Sequence, residues 1–154
     1  MTTTAPTGTT TTAQPSVPVP ADHLDLLVRP IVSVLTTMGA DGWPRSSLVW
    51  ADHDGECARV NTTLERQKGR NLLANPKSSL LVVDPENTGR FVQIRGDVEI
   101  LTEGAIEHLD ALTRKYTPHP CYYGHVYPES HAGAETHVVC RIVARRVTAD
   151  AIHA

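Results

Sequence analysis

From residue 31 onward the chain is divided into short apolar stretches by turns built on Gly and Asp. Ile31 to Met38 is rich in β-branched residues and stops at Gly39-Ala40-Asp41-Gly42. Trp43 to Ala51 follows, then His53-Asp54-Gly55, then Glu56 to Thr62. Runs of this length joined by such turns predict antiparallel strands in a meander. Ser78 to Asp84 (SSLLVVD) reads as a buried strand. Arg90 to Leu101 reads as a long one, with Gly96 marking a bulge or barrel corner, and Thr136 to Val147 as the last. In an open sheet such strands leave edges exposed, and closure removes them. The pattern predicts a mainly β fold: a closed or nearly closed barrel of six antiparallel strands with a few short helices.

Three segments break the strand pattern. Asp22 to Val28 predicts a short helix with Asp22 as its N-cap. Leu64 to Ala74 places Leu64, Lys68, Asn71 and Leu72 at helical spacings and is closed by Asn75-Pro76. Gly69 inside it costs about 1 kcal/mol relative to Ala. Glu103 to Tyr116 predicts an amphipathic helix capped by Thr102, with Ile106, Leu109 and Leu112 on one face. Residues 1–20 are rich in Thr, Pro and Ala with almost no large apolar side chains. They cannot offset their own ordering entropy and are expected to form a disordered tail before one domain spanning residues 21–150.

Composition excludes several classes. The net charge is -3, with no basic excess of the kind that nucleic acid demands. No apolar run approaches the ~18–20 residues that cross a bilayer, and the first residues lack a signal peptide's basic and apolar regions. Cys57, Cys121 and Cys140 are three, with no CxxC spacing, so they cannot form a complete disulfide framework; a cytoplasmic location is expected. Cys57 and Cys140 read as small core residues. His119, His125, His131 and His137 recur every six residues, unlike the tight pairs of zinc sites, and read as loop or surface histidines; no metal is expected.

The segment RVNTTLERQKGRNLLANP, Arg59 to Pro76, carries the chemistry. A strand delivers Asn61, Thr62 and Thr63 to the start of a helix, where free N–H groups carry partial positive charge. Two hydroxyls, the Lys68 ammonium and the guanidinium groups of Arg66 and Arg70 join them, which suits a phosphate. The same residues also fit an ordinary solvated helix face. Trp50 likewise reads either as core or as a platform for a ring.

Taken in order, GADGWPRSSLVWADHDG, NTTLERQKGRNLLANPKSSLLVVD, GRFVQIRGDVEIL and KYTPHPCYY…HVVCRIVARRVTA resemble the pyridoxamine 5'-phosphate oxidase-like split β-barrels. Within that superfamily they resemble the flavin/deazaflavin (F420-dependent) oxidoreductases, over roughly Asp22 to Ala149. The resemblance implies a homodimer with two cofactor sites at the subunit interface, holding F420 or, alternatively, FMN. It implies that Lys68 grips the cofactor phosphate, with Arg66 and Asn71 around it. Asn61 and Thr62 would line the pocket. Pro44, Arg45, Ser47 and Trp50 would run under the tricyclic ring, and residues of Arg90 to Gly96 would reach in from the other protomer. One departure matters: Ser46 stands where the true pyridoxamine-phosphate oxidases place a phosphate-binding arginine, and their C-terminal substrate-binding arginine motif is missing. This favours the deazaflavin branch. The implied activity is hydride transfer to a small electron-poor substrate such as an enone, quinone, nitro compound or tetrapyrrole. The alternatives are an FMN-dependent relative and a non-catalytic cofactor or haem carrier. The acidic tail of F420 would follow a basic groove of Arg66, Arg70 and Arg45. Tyr116, Tyr122, Tyr123 and His125 are candidate proton donors on a loop able to close over the ring, and none is assigned as catalytic.

Overall fold

The computed structural model describes residues 15–150. The elements in chain order are α1 (Asp25–Val28), β1 (Ser33–Met38), β2 (Pro44–Val49), β3 (Ala51–His53), β4 (Ala58–Thr63), α2 (Gln67–Ala74), β5 (Lys77–Val83), β6 (Phe91–Leu101), α3 (Ala105–Tyr116) and β7 (His137–Ala149). All pairings are antiparallel, in the order β2-β1-β5-β6-β7-β4-β3.

The sheet has seven strands where six were expected. The difference lies at Trp50. The predicted strand Trp43 to Ala51 is broken there: β2 pairs with β1 on one edge of the sheet, and β3 pairs with β4 on the other. A single stretch of chain thus joins the two edges and curls the sheet into a split barrel.

Alternation along the strands fills the interior. Leu80 and Val82 of β5, Val92 and Ile94 of β6, and Val138, Cys140 and Ile142 of β7 are buried at every second position. Cys57 is buried as well. Each fully buried aliphatic side chain contributes roughly 1.5–3 kcal/mol. Gly96 sits at a register shift between β6 and β7, and a Cβ there would lie 2.1 Å from the Val143 carbonyl oxygen. The expected bulge is therefore present, and close backbone packing requires glycine at it.

The helix ends differ from expectation. The first predicted helix is a 3-10 turn (Ala21–His23) followed by α1, and Asp22 makes no cap bond. α2 starts at Gln67 rather than Leu64, with Arg66 extended at its N-cap. α3 starts after Gly104, whose φ of 75° turns the chain out of β6, and Thr102 does not cap it. Leu109 and Leu112 are buried, whereas Ile106 is exposed. Of the predicted tail, residues 1–14 lie outside the described residues. Ser16 and Val17 are hydrogen-bonded to Ala144 on β7, so the folded region reaches back into that stretch. Among the described residues no helix is long and apolar enough to cross a membrane.

The β3–β4 turn is tied to β7 through Asp54. Its carboxylate accepts the backbone N–H groups of Glu56 and Cys57 and the Arg141 Nε, the last at 2.7 Å. Burial opposes the charge, but these donors outweigh it and hold the carboxyl at about 2, below its ordinary 3.8. The folded value is the lower one, so the contribution is present above 3.8 and is lost as pH falls through about 2. Asp54→Asn is expected to cost about 1–2 kcal/mol at pH 7 and almost nothing at the acid end. Urea midpoints of both chains across that range check it.

Candidate functional site

A cleft of about 290 Å³ opens where β2 gives way to β3, bounded by the end of β4, the start of α2, α3 and the loop before β7. Trp50, Asn61, Thr62, Thr63, Arg66 and Lys68 line it, together with Leu48, Leu109, Leu112, Tyr122, Val126 and His137. Gly69 sets the local geometry. A Cβ there would fall 2.0 Å from the Thr63 carbonyl oxygen, so only glycine lets α2 press onto the end of β4. That contact brings the side chain before it, Lys68, to the same cleft as Thr62 and Thr63.

The polar groups at this end are nearly all donors. The Thr62 and Thr63 hydroxyls are buried and have no hydrogen-bond partner among the described residues. Buried polar atoms are rarely left so, and Thr62 and Thr63 keep hydrogen-bonding capacity at this end of the cleft. Lys68 is half-buried and has no ion-pair partner among the described residues. Burial, and then the nearby Arg66 charge, pull its ammonium below the ordinary lysine value. Arg66 is held by Glu135 at 3.2 Å. Among the described residues no acidic side chain lines the cleft. Two hydroxyls, an ammonium and a guanidinium with no lining carboxylate make a donor set that fits a phosphate oxyanion.

Asn61 contributes differently. Its Nδ2 donates to the Ala105 carbonyl at 2.8 Å, and its Oδ1 lies 3.0 Å from His137 Nδ1. Its amide is thus committed within the protein. Trp50 stacks on Tyr116, with ring centroids 5.4 Å apart and planes 10° from parallel. The Tyr116 hydroxyl donates to the Ile31 carbonyl at 2.7 Å and accepts the Ala51 N–H, which places this candidate donor in the scaffold. Tyr122 lines the cleft, whereas His125 stacks on His119 away from it.

One chain therefore gathers Trp50, Asn61, Thr62, Arg66 and Lys68 but not the remaining candidates. Pro44, Arg45 and Asn71 border a separate depression of about 420 Å³ beside Trp43. Ser47 lies opposite Leu35 and lines neither. Asn71 is buried and donates to Thr37 Oγ1, pinning α2 to β1. Arg70 is turned back onto the Glu65 carbonyl and Gln67. His137 was missed as a site residue. It opens β7 directly opposite Thr63, and only the cross-strand register reveals that neighbour. Burial, then Arg66, lower its ring below the ordinary histidine value.

Comparison with solved structures gives the same fold repeatedly. An F420 reductase superposes with a TM-score of 0.71 at 31% identity, over 84% of this chain and 98% of that one. A conserved hypothetical protein from Mycobacterium tuberculosis matches with a TM-score of 0.66 at 28% identity, over 87% of this chain and 85% of its own. A heme binding protein from Mycobacterium smegmatis, 20% identical, shares the fold with a TM-score of 0.55 over 85% of this chain and 54% of its own. No curated protein matches in sequence. The pyridoxamine 5'-phosphate oxidase family model matches residues 19–149, which takes in every strand and the whole cleft. With the split barrel on the same residues, the chain belongs to the pyridoxamine 5'-phosphate oxidase family.

Proposed function

We propose that the cleft holds the phosphate of a deazaflavin, F420 in preference to FMN, and that the protein is a cytoplasmic F420-dependent oxidoreductase acting on a small electron-poor organic substrate. The observation that carries this reading is the pair of partnerless buried hydroxyls, Thr62 and Thr63, sharing one cleft with the unpaired Lys68. The 31% identity to an F420 reductase supports the choice of cofactor. When bound, the cofactor supplies the hydride chemistry. The chain's own residues bind and orient: Lys68, Arg66 and both threonines hold the phosphate. Trp50 walls the ring side, and Leu48, Leu109 and Val126 exclude water. Arg66 is the basic side chain placed to meet an acidic tail.

The test is a fluorescence titration with F420 and, separately, with FMN, for the wild type and Lys68→Ala. F420 is expected to bind more tightly than FMN, and the variant to lose about 10- to 100-fold, as befits a hydrogen bond to a charged group. Preference for FMN moves the protein to the FMN-dependent reading. Tight binding with no turnover of any substrate makes it a carrier. Binding of neither cofactor overturns the proposal.

The proposed assembly is a homodimer. Trp43, Leu48 and Val32 are 75%, 73% and 51% exposed, large apolar surfaces of the kind a partner copy covers. Sedimentation of the wild type is expected to show a dimer. Leu48→Glu is expected to weaken it at least ~30-fold, the size of an interface hot spot. A monomeric wild type sinks the assembly.

A further inference from the structure

A chain of polar side chains, Asp52, His108, Asn61, His137 and Tyr123, runs from the closing strand β3 past the cleft, which Asn61 and His137 line. His108 Nε2 lies 3.2 Å from Asp52 Oδ1, and His108 Nδ1 lies 3.3 Å from Asn61 Nδ2. Asn61 Oδ1 lies 3.0 Å from His137 Nδ1, and His137 Nε2 lies 2.7 Å from the Tyr123 hydroxyl.

One contact fixes the direction of every proton in this chain. The Ala105 carbonyl can only accept, so the Asn61 atom 2.8 Å from it is the nitrogen. Asn61 Oδ1 therefore faces His137, and His137 Nδ1 must carry the hydrogen. Its Nε2 is then bare in the neutral ring and accepts from Tyr123. On the other side the second Asn61 N–H points at His108 Nδ1, which must be bare. His108 Nε2 then carries its hydrogen toward Asp52. That end is anchored as a carboxylate, because Asp52 also takes Arg59 through two bonds of 2.9 and 2.8 Å. All four hydrogen bonds donate toward Asp52.

We infer that Asp52, His108 and Asn61 are positioning residues that hold His137, which lines the cleft, as the neutral Nδ1–H tautomer, making the Tyr123–His137 pair a proton acceptor for a ligand that presents a hydroxyl or enol. The Tyr123 hydrogen is directed at His137, so its oxygen keeps lone pairs with which to accept a further hydrogen bond. As the ligand O–H breaks, Tyr123 takes that proton and passes its own to His137 Nε2. The electron pair of the broken bond stays on the ligand oxygen. The charged and titratable groups around His137 are Arg66, Glu135, Glu65, Tyr123 and Tyr122. The identity of the arriving ligand rests on the cofactor-site reading above, whereas the state of His137 does not.

Long-range proton–nitrogen NMR of the imidazoles in the cofactor-free full chain tests the inference, so a failure to bind F420 leaves it standing. At pH 7 His137 is expected as a single neutral Nδ1–H tautomer and His108 as the opposite one. Asn61→Asp, with no N–H to offer and a carboxylate to accept, should raise the His137 titration midpoint by at least ~1 pH unit. Tyr123→Phe should leave the tautomer unchanged. A His137 ring protonated at Nε2, averaging between tautomers, or unmoved by Asn61→Asp overturns the assignment.

Discussion

Gly69→Ala is expected to destabilise the protein by about 3 kcal/mol, the upper end for overpacking, and to abolish the F420 binding proposed above. Helix propensity alone predicts the opposite, since Ala is better than Gly in a helix by about 1 kcal/mol. The geometry decides. The new Cβ would meet the Thr63 carbonyl oxygen at 2.0 Å and its carbon at 2.9 Å, and both are backbone atoms of β4. Neither can rotate aside. α2 must move off the strand end, carrying Lys68 away from Thr62 and Thr63. Gly89→Ala is the control: its Cβ meets only the Asn87 Oδ1, at 3.5 Å, and should change stability by no more than about 0.5 kcal/mol. Urea denaturation of both variants, with F420 titration of Gly69→Ala, reads the result. Equal midpoints for the two would show that the α2–β4 contact does not constrain the fold.

Tyr116→Phe is expected to cost about 2–3 kcal/mol while leaving the pH dependence of the proposed F420-dependent turnover unchanged. The hydroxyl bonds the Ile31 carbonyl and receives the N–H of Ala51, a residue only 1% exposed. Removing it deletes both bonds; the Ile31 carbonyl keeps the Ser33 hydroxyl, whereas the buried N–H is stranded and carries the larger share of the cost. The ring still stacks on Trp50, so packing is kept. A stability loss without a shifted pH profile identifies the hydroxyl as scaffold. A shifted profile with full stability would return Tyr116 to the proton donors.

The contrast between what local sequence reveals and what it hides is clear at three places. Strands such as β5 and β7 were legible because short apolar, β-branched runs and the turns that flank them are local properties. The break at Trp50 was not, since it arises from pairing with β1 on one side and β4 on the other. The start of α2 was misplaced for a similar reason: the Gly69 approach to Thr63 is a tertiary contact. In the site, the Thr62, Thr63, Arg66 and Lys68 grouping was readable because those residues are close in the chain. His137 was not, because it comes from 74 residues beyond Thr63, its cross-strand partner.

The sheet order also bears on how the barrel comes to exist. β7, the last strand in the chain, lies in the interior of the sheet between β6 and β4. Before its thirteen residues are available, the β2-β1-β5-β6 and β4-β3 groups have no strand joining them, and β6 and β4 both present open edges. Pairing across such sequence distances is slow. Barrel, core and cleft can therefore close only once β7 is in place between β6 and β4.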